Sequence, residues 1–206
     1  MYKVKLEDKE YFLPANWNEV TFDKLLKLKL VNFESSAGNI LTTSMALGVL
    51  MECDYKIIMK LDADDFIKLA NAVKWVYKFD VQPEFKNEFE IDGVKYKLVP
   101  NFNKLTMGEM ASIEQMIMED AEKNLDKILA ILIREVDENG NITEFKAETL
   151  DARADVFRHK LTLPQVHGIS SFFLDGRNKH TPDIADYSNQ NPGKVTIQNL
   201  DQMTQQ

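Results

Sequence analysis

The sequence predicts an α+β fold, mainly helical, built from two similar half-units, each a β-hairpin followed by a capped helix and further packed helices. An extended C-terminal tail completes it. Three observations carry this expectation. Residues 11–25, YFLPANWNEVTFDKL, and residues 96–110, YKLVPNFNKLTMGEM, align without a gap and share Tyr11/Tyr96, Leu13/Leu98, Asn16/Asn101, Asn18/Asn103 and Thr21/Thr106. Trp17/Phe102, Val20/Leu105, Phe22/Met107 and Leu25/Met110 exchange one apolar residue for another. Around the two copies, apolar residues recur at helical spacing. Beyond Asp175 the chain turns rich in Asn, Gln, Asp, Pro and Gly, and its apolar residues stand alone. An internal echo of this length marks a duplicated structural unit, and duplicated units build scaffolds and binding surfaces more readily than a single catalytic pocket.

The elements come in a regular order. In each copy a short alternating run, Met1 to Leu6 or Glu88 to Val94, meets a turn at Glu7-Asp8 or Asp92-Gly93 and returns through the Tyr-x-Leu segment. That is the pattern of a β-hairpin. Thr21 and Thr106 are suited to cap helices, because a threonine hydroxyl accepts from the free amides of the first turn. Val20 with Leu25, and Leu105 with Met110, occupy the positions of a hydrophobic staple, and Glu109 completes a T-x-x-E capping box. A short helix over Phe22 to Leu30 is expected, then a polar break over Phe33 to Asn39. Ile40 to Met51, apolar on nearly every side, reads as a buried central helix. Asp62 or Asp64 caps an amphipathic helix carrying Phe66, Leu69, Ala70, Val73, Val76 and Tyr77. Asp80 to Asn87 connects the halves. The second half repeats the order: a helix from Thr106 through Met110, Ile113 and Ile117, then a buried helix over Leu125 to Val136. Asp137 to Asn141 forms a turn inside a short hairpin. A helix with Leu150, Ala154 and Phe157 comes next, and Pro164, suited to a first helical position, starts a last one through Val166, Ile169, Phe172 and Phe173. The expected organisation is residues 1–80 as the first half, 81–175 as the second half packed on it, and 176–206 as an extended or disordered arm.

Composition narrows the functional classes. The chain has 206 residues, 44% hydrophobic, with a net charge of −8. Its pI near 5.0 argues against a general nucleic-acid binder, which needs basic surface to displace counterions from phosphates. One cysteine, Cys53, excludes an internal disulfide framework and fits a reducing compartment. No signal peptide is read at the N-terminus, and the longest apolar run is too short and too charged to span a bilayer. A cytoplasmic site of synthesis and no membrane partner are expected.

Several residues invite a chemical reading, and each has a plainer one. Cys53 with His159 or His167 suggests a nucleophile and base, yet no catalytic signature surrounds them, and Cys53 follows a buried helix. His159, His167 and His180 lack the ligand spacing of a zinc site. Asp62, Asp64 and Asp65 resemble a cation site but serve as a cap and as negative charge at a helix N-terminus. Asp137, Asn139 and Asn141 match the first ligand positions of a calcium loop, where Ile142 then stands in place of the required glycine. Met107, Met110, Met116 and Met118 suggest an adaptable groove, although methionines at this spacing ordinarily fill core. No phosphate loop or dinucleotide fingerprint occurs. The expectation is a protein that is not an enzyme and holds no cofactor or metal. Alone, the tail buries too little surface to offset its ordering entropy, so it needs the body of its own chain or a neighbouring subunit. Its expected partner-binding anchors are Ile184, Tyr187, Val195, Ile197, Leu200 and Met203.

The succession LPANWNEVTFDKL, YKLVPNFNKLTMGEM, DKILAILIREV and ISSFFL over residues 10–175 resembles a family of small morphogenesis proteins of tailed bacteriophages, those of crAss-like and related phages of Bacteroidetes above all. The resemblance implies a structural role in the virion, assembled in the host cytoplasm. The expected role is a ring or adaptor subunit of the head-to-tail connector, in a homo-oligomeric ring touching the portal and neighbouring ring or tail proteins. A tail assembly chaperone absent from the mature particle is the alternative. The family brings no catalytic residues.

Overall fold

The computed structural model describes residues 1–31, 40–101 and 104–173. The chain divides into two units, residues 1–170 and 171–206. The first unit is α+β and mainly helical, with two small antiparallel sheets.

The first hairpin pairs β1 (Tyr2–Leu6) with β2 (Lys9–Leu13), in register Tyr2 to Leu13 through Leu6 to Lys9. Glu7 and Asp8 turn it with positive φ at both, 45° and 66°, the backbone a two-residue hairpin needs to match strand twist. A short 3-10 turn over Trp17–Glu19 comes next, and then α1 (Phe22–Lys29), whose first turn is capped by the Thr21 hydroxyl accepting from the Lys24 amide. The second hairpin repeats this with β3 (Glu88–Ile91) and β4 (Val94–Leu98), turned by Asp92 and Gly93 at φ 50° and 82°. Its helix, α5 (Met107–Asp120), begins at Thr106 with the expected capping box complete. The Thr106 hydroxyl accepts from the Glu109 amide at 3.2 Å, and Glu109 Oε2 accepts from the Thr106 amide at 2.6 Å. Backbone bonds recur at the same step: Glu19 to Asn16 and Lys104 to Asn101, both 3.2 Å, and Leu25 to Thr21 and Met110 to Thr106, at 3.1 and 3.0 Å. The duplicated text is therefore a duplicated backbone. Phe102 and Asn103, which belong to the echo, lie outside the described residues.

The remaining helices build the core. Ile40–Met51 forms α2 with the expected bounds, and Leu47, Leu50 and Met51 are buried. It ends in a left-handed residue, Glu52 (φ 56°), with the Cys53 amide donating back to the Gly48 carbonyl at 2.9 Å. This closes the last turn as a C-terminal cap. The short α3 (Tyr55–Ile58) comes after it, then α4 (Ala63–Ala72), capped by Asp62. The expected single helix through Tyr77 stops at Val73 and continues as a 3-10 turn over Lys74–Tyr77. The break lets Trp17 Nε1 donate to the carbonyls of Lys78 (2.9 Å) and Trp75 (3.2 Å). The apolar run after Leu125 is likewise not one helix. It is helical as α6 (Leu125–Leu132) and then extends as β5 (Ile133–Glu135), which joins β4 and makes the second sheet three-stranded in the order β3-β4-β5. Strand pairing with β4 overrides the helical reading where the chain becomes β-branched and charged. The Asp137–Asn141 turn sits in the expected hairpin, with Val136 bridging Ile142. The chain closes with α7 (Leu150–Lys160) and α8, helical over residues 163–173. Gly168 on α8 lies under the connection before β3, where a Cβ would come within 2.5 Å of the Glu84 carbonyl oxygen. No side chain fits there.

Candidate interaction surface

The first module is sealed by chain from far along the sequence. Leu161 to Leu163 runs past the start of α1, where Thr162 bridges Thr21 in antiparallel fashion. The Phe22 amide donates to the Leu161 carbonyl (3.2 Å) and the Leu163 amide to the Val20 carbonyl (2.9 Å). Under this cover Phe22 is 2% exposed, and Leu161 and Leu163 are buried.

Among the described residues the second module has no such cover. Met107, the counterpart of Phe22, is 76% exposed, and Met118 on the same helix is 86% exposed. On α5 only Glu109 and Ile113 are buried, while Met110 and Met116 are half-buried. The expectation that these methionines fill core is therefore corrected at both ends of the helix. Its inward stripe is too narrow to take them. Met107, Ala111, Glu114 and Met118 fall at spacings of four, three and four, so one line of the helix carries both exposed methionines. Flexible thioethers on an open helix face suit adaptable apolar contact.

The module's inner side is held by charge. Glu109 Oε1 accepts from Arg134 Nη2 at 2.5 Å, both side chains buried, and the Arg134 guanidinium lies 5.9 Å from the Phe145 ring. Arg153 stacks over the same ring at 5.6 Å, and its Nε and Nη2 are buried without a partner among the described residues. Burial pushes its pKa down, against the pull of Glu135. Asp126, buried on α6, pairs with Arg158 of α7. Periodicity and motif spacing do not mark these pairs. The available signal is Asp126 and Arg134 themselves, set inside the most apolar stretch of the chain, since a charge there must find a partner.

Of the residues with chemical potential, Cys53 and His159 line one groove of about 880 Å³, with Asp23, Lys27, Leu30, Met45 and Tyr55. No hydrogen bond joins the two among the described residues. His159 Nδ1 donates to the Asp155 carbonyl at 2.8 Å, while its Nε2 faces Asp23 Oδ1 at 3.7 Å. Burial, and then the nearby Asp54 charge, push the Cys53 thiol pKa up, which keeps it protonated. His167 is exposed on α8, and His180 lies outside the described residues. Asp62 accepts from the Asp65 amide at 2.9 Å as a cap, and Asp65 pairs with Lys68. Asp137 accepts from the amides of Asn139 and Asn141, at 2.9 and 2.8 Å, and these bonds, Asn141's first, hold its carboxyl below the ordinary carboxylate range. Among the described residues no group of three or more His, Cys, Asp or Glu is placed to hold a metal ion. No described helix is long and apolar enough to cross a membrane. The expected anchors Ile184, Tyr187, Val195, Ile197, Leu200 and Met203 lie outside the described residues. Comparison with protein-family models, curated proteins and solved structures finds no match to this chain.

Proposed function

We propose that this chain is a non-enzymatic structural subunit of a tailed bacteriophage particle, a ring or adaptor of the portal-tail connector held by protein-protein contacts. The observation that carries the reading is the inequality of the two modules. The same hairpin-to-helix plan is built twice, and the opening position sealed at Phe22 in the first copy stands open at Met107 in the second, with Met118 exposed further along the same helix. A helix face exposing two methionines beside an ion-paired interior suits a standing partner, and each copy bearing it suits a head-to-tail interface that closes by rotation. The resemblance to phage morphogenesis proteins supports the setting in the virion, with assembly in the host cytoplasm.

The test is direct. The purified chain is expected to form a closed multimer by mass photometry and electron microscopy, weakened by deletion of residues 176–206, and to be present in fixed copy number in mature particles by quantitative mass spectrometry. A stable monomer missing from particles would overturn the reading in favour of an assembly chaperone, which masks a tail protein and leaves.

A further inference from the structure

We infer that the start of α5 is a docking site for residues 195–203 of a neighbouring copy of this chain, with residues 195–197 laid across Thr106 as residues 161–163 are laid across Thr21. The occupant is written in the sequence. Residues 161–169 read LTLPQVHGI and residues 195–203 read VTIQNLDQM. Leu161/Val195, Thr162/Thr196, Leu163/Ile197, Val166/Leu200 and Ile169/Met203 agree in kind at one constant spacing, and Gln165 is matched by the shorter amide Asn199.

Leu161 to Leu163 close the start of α1, and the two later apolar positions, Val166 and Ile169, are buried as Leu161 and Leu163 are. Thr162 starts α8, where Gln165 Oε1 accepts from the Thr162 amide (3.0 Å) and hydroxyl (3.2 Å). The apolar-Thr-apolar step supplies an antiparallel bridge, and the next two apolar residues sit one helical turn apart. The arm therefore carries a second copy of the element that seals a module.

The body carries a second module in want of that seal. The counterparts of the two bridging groups are the Met107 amide and the Leu105 carbonyl, and neither has a hydrogen-bond partner among the described residues. The first module's bridge leaves the Thr21 amide unused, so the Glu109 carboxylate bound to the Thr106 amide does not compete. Met107 supplies the apolar surface that Phe22 supplies in the first copy. Each chain thus has one donor segment and one acceptor site, which on the structural-subunit reading above links copies head to tail.

The experiment uses the full chain in a Cys53→Ser background, which removes its one cysteine. Two single-cysteine proteins, Met107→Cys and Val195→Cys, stand at the counterparts of Phe22 and Leu161. Mixed and mildly oxidised, they are expected to give a mixed disulfide dimer that denaturing mass spectrometry maps to those two sites. Ile197→Asp, with wild-type Cys53, is expected to weaken self-association at least tenfold without changing the circular dichroism of the body. If Cys53→Ser impairs folding, the same mapping is done with Cys53 retained. Oligomers that persist with Ile197→Asp and give no mixed disulfide overturn the inference and leave the ring reading standing. In a third protein carrying both Met107→Cys and Val195→Cys, a disulfide formed only within one monomeric chain overturns docking between copies. A mixed disulfide in assemblies that never close supports the inference and sinks the ring.

Discussion

In the first module Phe22 opens its helix at 2% exposure, and in the second Met107 opens the equivalent helix at 76%. The hairpin, its two-residue turn, the threonine cap and the backbone bonds to Asn16/Asn101 and Thr21/Thr106 recur on the way to both residues, so these shared features do not set the difference. What differs is how each module is closed. The first borrows Leu161 to Leu163 from a distant part of the chain. The second has no such cover among the described residues, and its Glu109 serves at once as the capping-box carboxylate and as the partner of Arg134. At the position of Glu109 the first module has Lys24, which reaches the Leu50 carbonyl (2.9 Å) and Glu52 (2.8 Å) instead. A helix start needs its free amides and its apolar side met, and among the described residues the opening residue has both met in the first module and neither in the second. The lesson is that duplication copies backbone more faithfully than it copies interfaces.

The largest test of that contrast truncates the two opening residues. Phe22→Ala removes a ring from a sealed site and is expected to cost about 3–5 kcal/mol in urea unfolding. Met107→Ala, in solvent, is expected to stay within about 0.5 kcal/mol for the isolated chain. Equal losses would show that the second module is sealed as well and would end the comparison.

Next comes the charge that holds the second module. Glu109→Ala strips a buried guanidinium of its partner and is expected to cost about 3–5 kcal/mol, whereas Glu109→Leu with Arg134→Met restores most of it. In the first module Lys24→Met is expected to cost about 1 kcal/mol or less, because its partner Glu52 is 70% exposed. Denaturant curves on the three proteins decide it. A double variant as weak as the single would place the loss in the helix cap and not in the ion pair.

How much of this is legible in the sequence depends on the range of the forces. Hairpins, turns and caps are local, so Glu7-Asp8, Asp92-Gly93, Thr21 and Thr106 announce themselves, and the bounds of α2 can be read to the residue. The switch from α6 to β5 at Ile133 is not legible, because it depends on pairing with Leu98, Lys97 and Tyr96, some 35 residues earlier. Phe22 and Met107 read as equivalent for the same reason. Their fates are decided by what arrives from residues 161–163, at a separation no local pattern encodes. The buried pairs Glu109–Arg134 and Asp126–Arg158 are half legible: the charges are in view, their partners not.

A smaller effect exchanges the turns. Hairpin one carries Asp8 at φ 66° where hairpin two carries Gly93 at φ 82°. Gly93 has nothing within 4 Å of a built Cβ, so Gly93→Asp meets only backbone strain, expected at about 0.5–1 kcal/mol. Asp8→Gly relieves the same strain but loosens the unfolded chain, and its net gain is expected to be about 0.5 kcal/mol. Opposite signs in thermal unfolding are the expected outcome, and like signs would show that the two turns are not equivalent.

The smallest effect is the part of the pH response of hairpin two that Glu88 supplies. On the outer face of hairpin two Glu88 stands opposite Lys97, bridged at 2.7 Å, while in hairpin one Lys3 stands opposite Phe12 and reaches diagonally to Glu10 at 2.8 Å. The Lys97 hydrogen bond, then the Lys97 charge, hold the Glu88 carboxyl below its ordinary value. A lowered folded pKa means that the ionised form stabilises the hairpin above the unfolded value of about 4.3, and that this contribution is lost as pH falls through the folded pKa. Between pH 6 and 3, amide exchange in β3 and β4 is therefore expected to quicken more in the native protein than in Glu88→Gln, after correction for intrinsic exchange rates. The variant lacks the titrating group, so its second hairpin loses the Glu88 part of that pH response, while β1 and β2 behave alike in both proteins. Identical profiles for β3 and β4 in the two proteins would mean that solvent screens the Glu88–Lys97 pair fully, leaving the cross-strand side chains without a part in what separates the modules.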